Sequence, residues 1–220
     1  MGQYTSLSNP VYLDVARSHV IFVCGKRGGG KSFSMGVIAE GVSDLPPEIK
    51  GNLSVVILDT MGIYWTMKYP NQKEKDLLDQ WGIKPKGLDV TIFTPKGHFA
   101  EFKEKGIPTD YPFSIRPDNL DIEDWELTLG LDRNSEEGIL VERIITGLKE
   151  KGGGFSLQEI IKGVEKDEKS SQRAKDSATN KFSSAIEWGL FDKEGTPLKD
   201  LVMGGRVSII DVSVYATMPR

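Results

Sequence analysis

The residues best suited to chemistry form one short segment near the amino terminus, residues 25–32, with the sequence Gly-Lys-Arg-Gly-Gly-Gly-Lys-Ser. Glycines at this spacing allow consecutive backbone N–H groups to turn inward around a polyphosphate. Lys31 would reach the β- and γ-phosphates of a nucleotide, and the Ser32 hydroxyl would coordinate a bridging Mg²⁺. We therefore predict a phosphate loop with Lys31 as its catalytic residue. The predicted nucleotide-binding residues are Gly25, Lys26, Arg27, Gly28, Gly29, Gly30, Lys31, Ser32 and Phe33.

The segments on either side of this loop support the same interpretation. An apolar run at residues 20–24 precedes the loop, and a helical pattern of apolar residues follows it from Phe33 to Ala39. Strand, glycine-rich loop and helix in this order are typical of nucleotide-binding sites, whereas a chance match would lack the flanking elements. We also expect Cys24, at the end of the predicted strand, to be a small buried hydrophobe.

Length and composition limit the class of protein. A chain of 220 residues can form one sizeable α/β core, or a core with a small inserted subdomain. The net charge of −4 carries no overall basic signature of a nucleic-acid binder, although local Lys and Arg residues can still line a pore. The single cysteine excludes an internal disulfide framework. No apolar run reaches membrane-spanning length and no signal pattern is present, so we expect a cytoplasmic protein without a membrane partner.

Three further apolar runs predict buried parallel strands, at residues 53–59, 89–95 and 206–213. Asp59 closes the first run beside a glycine turn, and ligands of open α/β sheets bind at the carboxyl ends of strands. Asp59 therefore has two interpretations. In the first it is functional, as a Mg²⁺-water partner or a nucleotide-sensing group, and in the second it caps the following turn. We expect Tyr64 and Trp65 in this turn to pack against the core.

The remaining segments are predicted to be mainly helical. Charges and leucines at helical spacing predict a helix at residues 73–81, whereas residues 97–117 have the Lys, Gly and Pro content of a loop that ends in a short edge strand at 113–117. A glycine triplet at residues 152–154 predicts a helix stop. Amphipathic patterns predict four more helices, at residues 122–127, 135–149, 156–165 and 171–188. An alternating pattern at 11–15 predicts a short strand.

This order of elements predicts an α/β fold, a parallel sheet flanked by helices with an inserted helical subdomain. We expect the first part of a P-loop ATPase core at residues 1–117, the helical insertion at 118–192 and a return to the core sheet at 193–220.

Two motifs beyond the phosphate loop carry a resemblance to a known family. They are the Asp-Thr-Met-Gly-Ile-Tyr turn at residues 59–64 and the Gly-Arg-Val-Ser-Ile-Ile-Asp-Val-Ser strand at 205–213. In this order, with a helical insert between them, the chain resembles the ATPase domain of HerA-type proteins, in the HerA/FtsK superfamily of DNA-pumping motors. The resemblance covers most of the chain and implies a RecA/FtsK-like P-loop NTPase fold with ATP and Mg²⁺ as cofactors.

The resemblance also implies an assembly and partners. Such proteins form hexameric rings that hydrolyse ATP at subunit interfaces and move along double-stranded DNA, commonly beside a nuclease partner. This chain has Ile63 where many members have an acidic residue, and we expect it to lack the β-barrel that precedes the domain in many relatives. The Walker B strand with its Asp-Glu pair and the arginine finger are expected beyond Arg220.

Asp211 is the remaining candidate for a metal site. It follows four largely apolar residues, as in a loose Walker B pattern, but no Glu follows it, so it would support binding better than hydrolysis. The resemblance instead makes Asp211 a structural residue at the end of a strand. Arg27 and Arg206 are candidates to approach the phosphates. The sequence leaves two functions open, a motor ATPase on DNA and a nucleotide-binding switch or assembly module without translocation.

Overall fold

The sheet consists of four parallel strands. The computed structural model describes residues 12–14, 16–17 and 19–216. Within them the strands are β1 (Val55–Asp59), β2 (Val90–Pro95), β3 (Tyr111–Phe113) and β4 (Val207–Asp211), in the spatial order β1-β4-β2-β3. The last strand of the chain therefore lies between the first two, and its register sets Asp59 beside Asp211. The parallel sheet with flanking helices confirms the predicted α/β class.

Nine α-helices accompany these strands in the described part of the chain. They are α1 (Lys31–Ser43), α2 (Pro47–Lys50), α3 (Lys75–Gln80), α4 (Lys96–Glu104), α5 (Ile122–Leu129), α6 (Glu136–Lys151), α7 (Leu157–Lys166), α8 (Gln172–Glu187) and α9 (Leu198–Leu201). Three short 3₁₀-helices occur at Tyr64–Lys68, Pro117–Asn119 and Ser213–Ala216. None of the helices in the described residues is long and apolar enough to span a membrane.

Local capping explains where the central helices begin. The hydroxyls of Ser135, Ser156 and Ser171 each accept a hydrogen bond from the backbone N–H three residues later, at the starts of α6, α7 and α8. At α7 the Glu159 carboxylate in turn accepts a hydrogen bond from the Ser156 N–H, which completes a capping box. Gly152 ends α6 with a positive φ, as the glycine triplet predicted.

Two apolar clusters stabilise the fold. One face of the sheet buries Ile57, Ile92 and Ile209 beneath Ala39 of α1 and Tyr64. The second cluster belongs to helices α5 to α8 and is built around Trp125, Leu140, Ile160 and Phe182. No sheet strand lies within residues 118–192. The predicted division of the chain at residues 117 and 192 into core, helical insertion and core stays a prediction.

The end of α8 touches the start of α4. The Gly97 N–H donates to the Gly189 carbonyl at 2.8 Å, and a Cβ on Gly97 would lie 2.5 Å from the Gly189 Cα. Beside this contact the Trp188 carbonyl accepts a hydrogen bond from the Tyr215 hydroxyl at 2.8 Å. Burial raises the pKa of Tyr215 to about 12, so this hydroxyl stays a donor at neutral pH. At this point α4 and the end of α8 therefore touch backbone to backbone, with the Tyr215 side chain beside the contact.

The segment at 97–117 differs from its sequence prediction. It was predicted to be mostly loop, but it contains α4, whose Phe102 is buried, and β3. Pro95 stands just before the helix, where the missing N–H costs nothing, and Gly106 follows the helix with a φ of 68°. The predicted edge strand occurs two residues earlier than expected, and Ile115 makes only an isolated bridge to Phe191.

The predicted strand before the phosphate loop is wrong in this structure. Residues 20–24 belong to no strand, Val20 and Phe22 are 99% and 87% exposed, and Cys24 is exposed instead of buried. Apolar, β-branched composition favours a pleated surface, but a strand forms only where a neighbouring strand offers its backbone groups. None of the four strands pairs with this segment in the described residues. Of the strand predicted at 11–15, residues 12–14 are in no strand and the rest lies outside the described residues.

Candidate nucleotide site

The loop before α1 presents its backbone in the form that an anion requires. Gly28 and Gly30 have φ angles of 79° and 82°, a left-handed conformation that suits glycine. Gly30 is the N-cap of α1, and no side chain caps this helix end. The N–H groups of the first turn are therefore available to a ligand, and the positive end of the helix dipole lies among them.

Lys31 reaches back across the same loop. Its Nζ donates to the carbonyl of Gly25 at 2.7 Å and to that of Lys26 at 2.9 Å, while the Gly29 N–H donates to the Lys26 carbonyl at 3.1 Å. The ammonium group is thus held over the loop by neutral acceptors alone. Anionic phosphate oxygens form stronger charge-assisted hydrogen bonds, so a polyphosphate would compete well for this group.

The other predicted binding residues surround this arrangement and are accessible. Ser32 and Phe33, in the first turn of α1, are exposed, as are Lys26 and Arg27 in the loop. Ser32 and Phe33 also line a largely apolar cavity of about 1270 Å³ between α1 and the segment from Ile63 to Leu88.

Asp59 caps the turn that follows β1. Its Oδ1 accepts hydrogen bonds from the N–H groups of Met61 (3.0 Å) and Gly62 (2.8 Å), and its Oδ2 accepts from those of Ile63 (2.7 Å) and Tyr64 (2.8 Å). The residue is only 1% exposed. This geometry agrees with the interpretation of Asp59 as a cap, because both carboxylate oxygens accept hydrogen bonds from backbone N–H groups at the start of the 3₁₀-helix Tyr64–Lys68. A metal role for Asp59 stays a prediction.

Asp211 lies beside Asp59 in the sheet but in a different environment. It is buried, its Oδ1 accepts the Ser213 N–H at 2.9 Å, and it lines a cavity of about 360 Å³ together with Met61 and Gly62. No cluster of three or more His, Cys, Asp or Glu side chains suited to a metal ion occurs in the described residues. A metal role for Asp211 likewise stays a prediction.

The two candidate arginines differ in position. Arg27 belongs to the phosphate loop. Arg206 immediately precedes the amino end of β4, whereas Asp211 is the last residue of the same strand. The Arg206 guanidinium carbon lies 5.6 Å from the centre of the Phe93 ring, and the side chain donates to the Asp200 carbonyl. These contacts are with other parts of the same chain, and an approach of Arg206 to the phosphates stays a prediction.

Tyr64 connects the Asp59 turn to the phosphate loop. Its ring is buried in the sheet cluster, as the sequence predicted, and its hydroxyl donates to the Ser32 carbonyl at 3.1 Å. Sequence reasoning missed this second role. The signal for it was the position of Tyr64 at the end of the Asp-x-x-Gly-x-Tyr motif.

Gly62 is the position in this turn that tolerates no side chain. Its φ is 64°, and a Cβ would lie 2.7 Å from the Ser213 Oγ. We expect Gly62→Ala to lower the free energy of unfolding by about 2–4 kcal/mol, because left-handed backbone and overpacking both cost energy. Denaturant unfolding measures the change. Gly106→Ala is the matched control, since Gly106 has a φ of 68° with nothing within 4 Å of its Cβ. If Gly62→Ala and Gly106→Ala lowered the free energy of unfolding equally, the contact with Ser213 would not be the cause of the loss.

Fold and loop together define a P-loop NTPase-like domain, a parallel α/β sheet with a glycine-rich loop before the amino end of a helix. The family model described as helicase HerA, central domain, matches residues 1–217. The chain therefore belongs to this family, whose members are ATPases of the HerA/FtsK kind. A comparison with curated proteins found no significant match.

Proposed function

We propose that the chain is the ATP-binding part of a HerA-like hexameric ATPase that translocates on double-stranded DNA, in DNA-end processing or DNA pumping. One observation carries the nucleotide-binding part of the proposal. The amino end of α1 has no side-chain cap and follows a loop with left-handed Gly28 and Gly30, over which the Lys31 ammonium group is held. Free N–H groups, a helix dipole and a mobile cation are the components that a triphosphate needs.

Each loop residue has a distinct task in this proposal. The N–H groups of residues 28–32 would hold the β- and γ-phosphates, and Lys31 would exchange the carbonyls of Gly25 and Lys26 for phosphate oxygens. The exposed Ser32 hydroxyl, in the first turn of α1, would hold Mg²⁺. When bound, Mg²⁺ neutralises the charge that develops on the phosphates.

Assembly into a ring finds support in the distribution of apolar surface. Large exposed hydrophobic side chains occur before the phosphate loop, on α1 and on the outer strand β1, as well as elsewhere on the described surface. Examples from these three segments are Val20, Ile21, Phe22, Phe33, Met35, Val37, Val56 and Leu58. Apolar surface of this extent is characteristic of protein interfaces. Double-stranded DNA and a nuclease partner are what the resemblance to HerA-type proteins implies, and the net charge of −4 offers no independent support for DNA. A cytoplasmic location is the expectation from the sequence, which has no apolar run of membrane-spanning length.

Hydrolysis requires groups that this chain supplies poorly. No described strand ends in an Asp-Glu pair, and the Asp59 oxygens are occupied by four N–H donors. A positioned water and an arginine finger are essential for turnover, and the finger alone contributes about 10³–10⁵ in rate. We therefore expect these 220 residues to bind Mg·ATP, to hydrolyse it very slowly and to gain no stimulation from duplex DNA.

A steady-state phosphate-release assay with and without duplex DNA tests this expectation, with ATP affinity measured in parallel. Brisk DNA-stimulated turnover by the 220 residues would make Asp59 or Asp211 the working carboxylate and contradict the predicted deficiency. The same assay on the protein as its gene encodes it separates the two candidate functions. DNA-stimulated turnover supports the motor, while turnover that is indifferent to duplex supports a nucleotide-binding switch or assembly module.

A further inference from the structure

The hydrogen bond between Tyr64 and Ser32 joins the turn after β1 to the first turn of α1. We propose that Tyr64 is a positioning residue for the Mg·nucleotide site, which acts by fixing Ser32 through its backbone carbonyl. The inference rests on the proposed function, because it assigns Tyr64 a task in the same site. It concerns neither the phosphate contacts themselves nor the hydrolytic step.

Tyr64 is held rigidly from two sides. The Asp59 carboxylate accepts the Tyr64 N–H at 2.8 Å together with three neighbouring N–H groups, which fixes the backbone of the turn. The ring is only 8% exposed and packs among buried aliphatic side chains of the sheet such as Ile57 and Ile92. The hydroxyl therefore has a defined position before it meets Ser32, and the hydrogen bond costs little additional side-chain entropy.

Helix α1, by contrast, is weakly anchored. Among its residues only Ala39 is buried, and Phe33, directly after Ser32, is 73% exposed. The other side-chain hydrogen bonds that α1 makes in the described part of the chain are local: Lys31 bonds to the loop, and Ser34 and Ser43 bond to carbonyls four residues earlier. The bond from Tyr64, at 3.1 Å, thus ties the amino end of α1 to the sheet.

The position of this bond determines which function it affects. The carbonyl that Tyr64 holds belongs to the same residue whose hydroxyl is expected to coordinate Mg²⁺, so fixing the carbonyl limits the positions open to that hydroxyl. The N–H groups of residues 28–31 and the Lys31 ammonium group do not depend on the bond, because their geometry is set within residues 25–31. Loss of the Tyr64 hydroxyl should therefore weaken the Mg²⁺-dependent part of nucleotide affinity selectively.

Tyr64→Phe tests this directly, since it keeps the ring in the core and removes only the hydroxyl. We expect the Kd for ATP to rise about three- to tenfold in the presence of Mg²⁺ and less than about twofold with Mg²⁺ chelated. Titration calorimetry gives both values, and a thermal melt confirms that the variant is folded. The matched control is Tyr111→Phe, whose ring packs against Phe93 and whose hydroxyl makes no hydrogen bond within the described residues.

A double-mutant cycle with Ser32→Ala shows whether Tyr64 acts through Ser32. Adding Tyr64→Phe to Ser32→Ala should change the Mg²⁺-dependent affinity by less than about twofold, because the group to be positioned is already absent. An equal loss with and without Mg²⁺, or no loss at all, would overturn the inference and leave Tyr64 a core residue. Absence of ATP binding by the unmodified chain would overturn the proposed function, and this inference with it.

Discussion

Replacing Lys31 with alanine is expected to lower the affinity for Mg·ATP by about 100-fold or more while the fold is retained. Each charge-assisted hydrogen bond contributes about 1.5–3 kcal/mol, and Lys31 is predicted to make one to each of two phosphates. The structural cost is small, because the Lys31 ammonium contacts only the loop carbonyls of Gly25 and Lys26 and belongs to neither apolar cluster.

Affinity by titration calorimetry and the thermal midpoint, measured side by side, check this result. Lys199→Ala is a suitable control, because Lys199 is an exposed lysine on α9, far along the chain from the loop. Undiminished ATP binding by Lys31→Ala would contradict the phosphate-loop assignment. A collapse of the thermal midpoint would instead give Lys31 a structural role that its contacts do not suggest.

Replacing Trp125 with alanine is expected to lower the free energy of unfolding by about 3–5 kcal/mol. Trp125 of α5 is fully buried, and its ring lies 5.4 Å from that of Phe182 and 5.3 Å from that of Phe191. Removing the indole would leave a cavity at the centre of the helical cluster, and an interior packed by four helices can close such a cavity only in part.

Urea unfolding followed by the far-UV helical signal measures this loss. Leu127→Ala, two residues away on the same helix, is the matched control because Leu127 is 85% exposed. It should change the free energy of unfolding by no more than about 0.5 kcal/mol. A loss below about 1 kcal/mol for Trp125→Ala would mean that the helical cluster can repack around the missing ring.

Elements with a strong local signal were predictable from the sequence. The phosphate loop and α1 follow from glycine spacing and apolar periodicity, and α6 to α8 start at serines that the pattern marks as caps. These features depend on residues within one or two turns of each other, so a single sequence contains the information that sets them.

Features that depend on distant partners were not predictable. The exposure of residues 20–24 reflects the absence of a pairing strand, which composition cannot report. The bond between Tyr64 and Ser32 joins residues 32 positions apart and arises only when the turn and the helix meet in space. Asp59 was undecided for a different reason, since a carboxylate before a glycine turn suits both a cap and a metal site, and only the conformation of the next five residues shows the cap.

The contact between Gly97 and Gly189 restricts how this chain can change during evolution. Each residue leaves no room for a Cβ on the other, with the nearest Cα at 2.5 Å and 2.7 Å, so neither glycine can be replaced without separating two backbones. Because the obstacle is the main chain, no compensating substitution at the partner position restores the space. In homologues that keep this junction, both positions should therefore be glycine, and a lineage that lost one would have to rebuild the contact between the end of α8 and the start of α4.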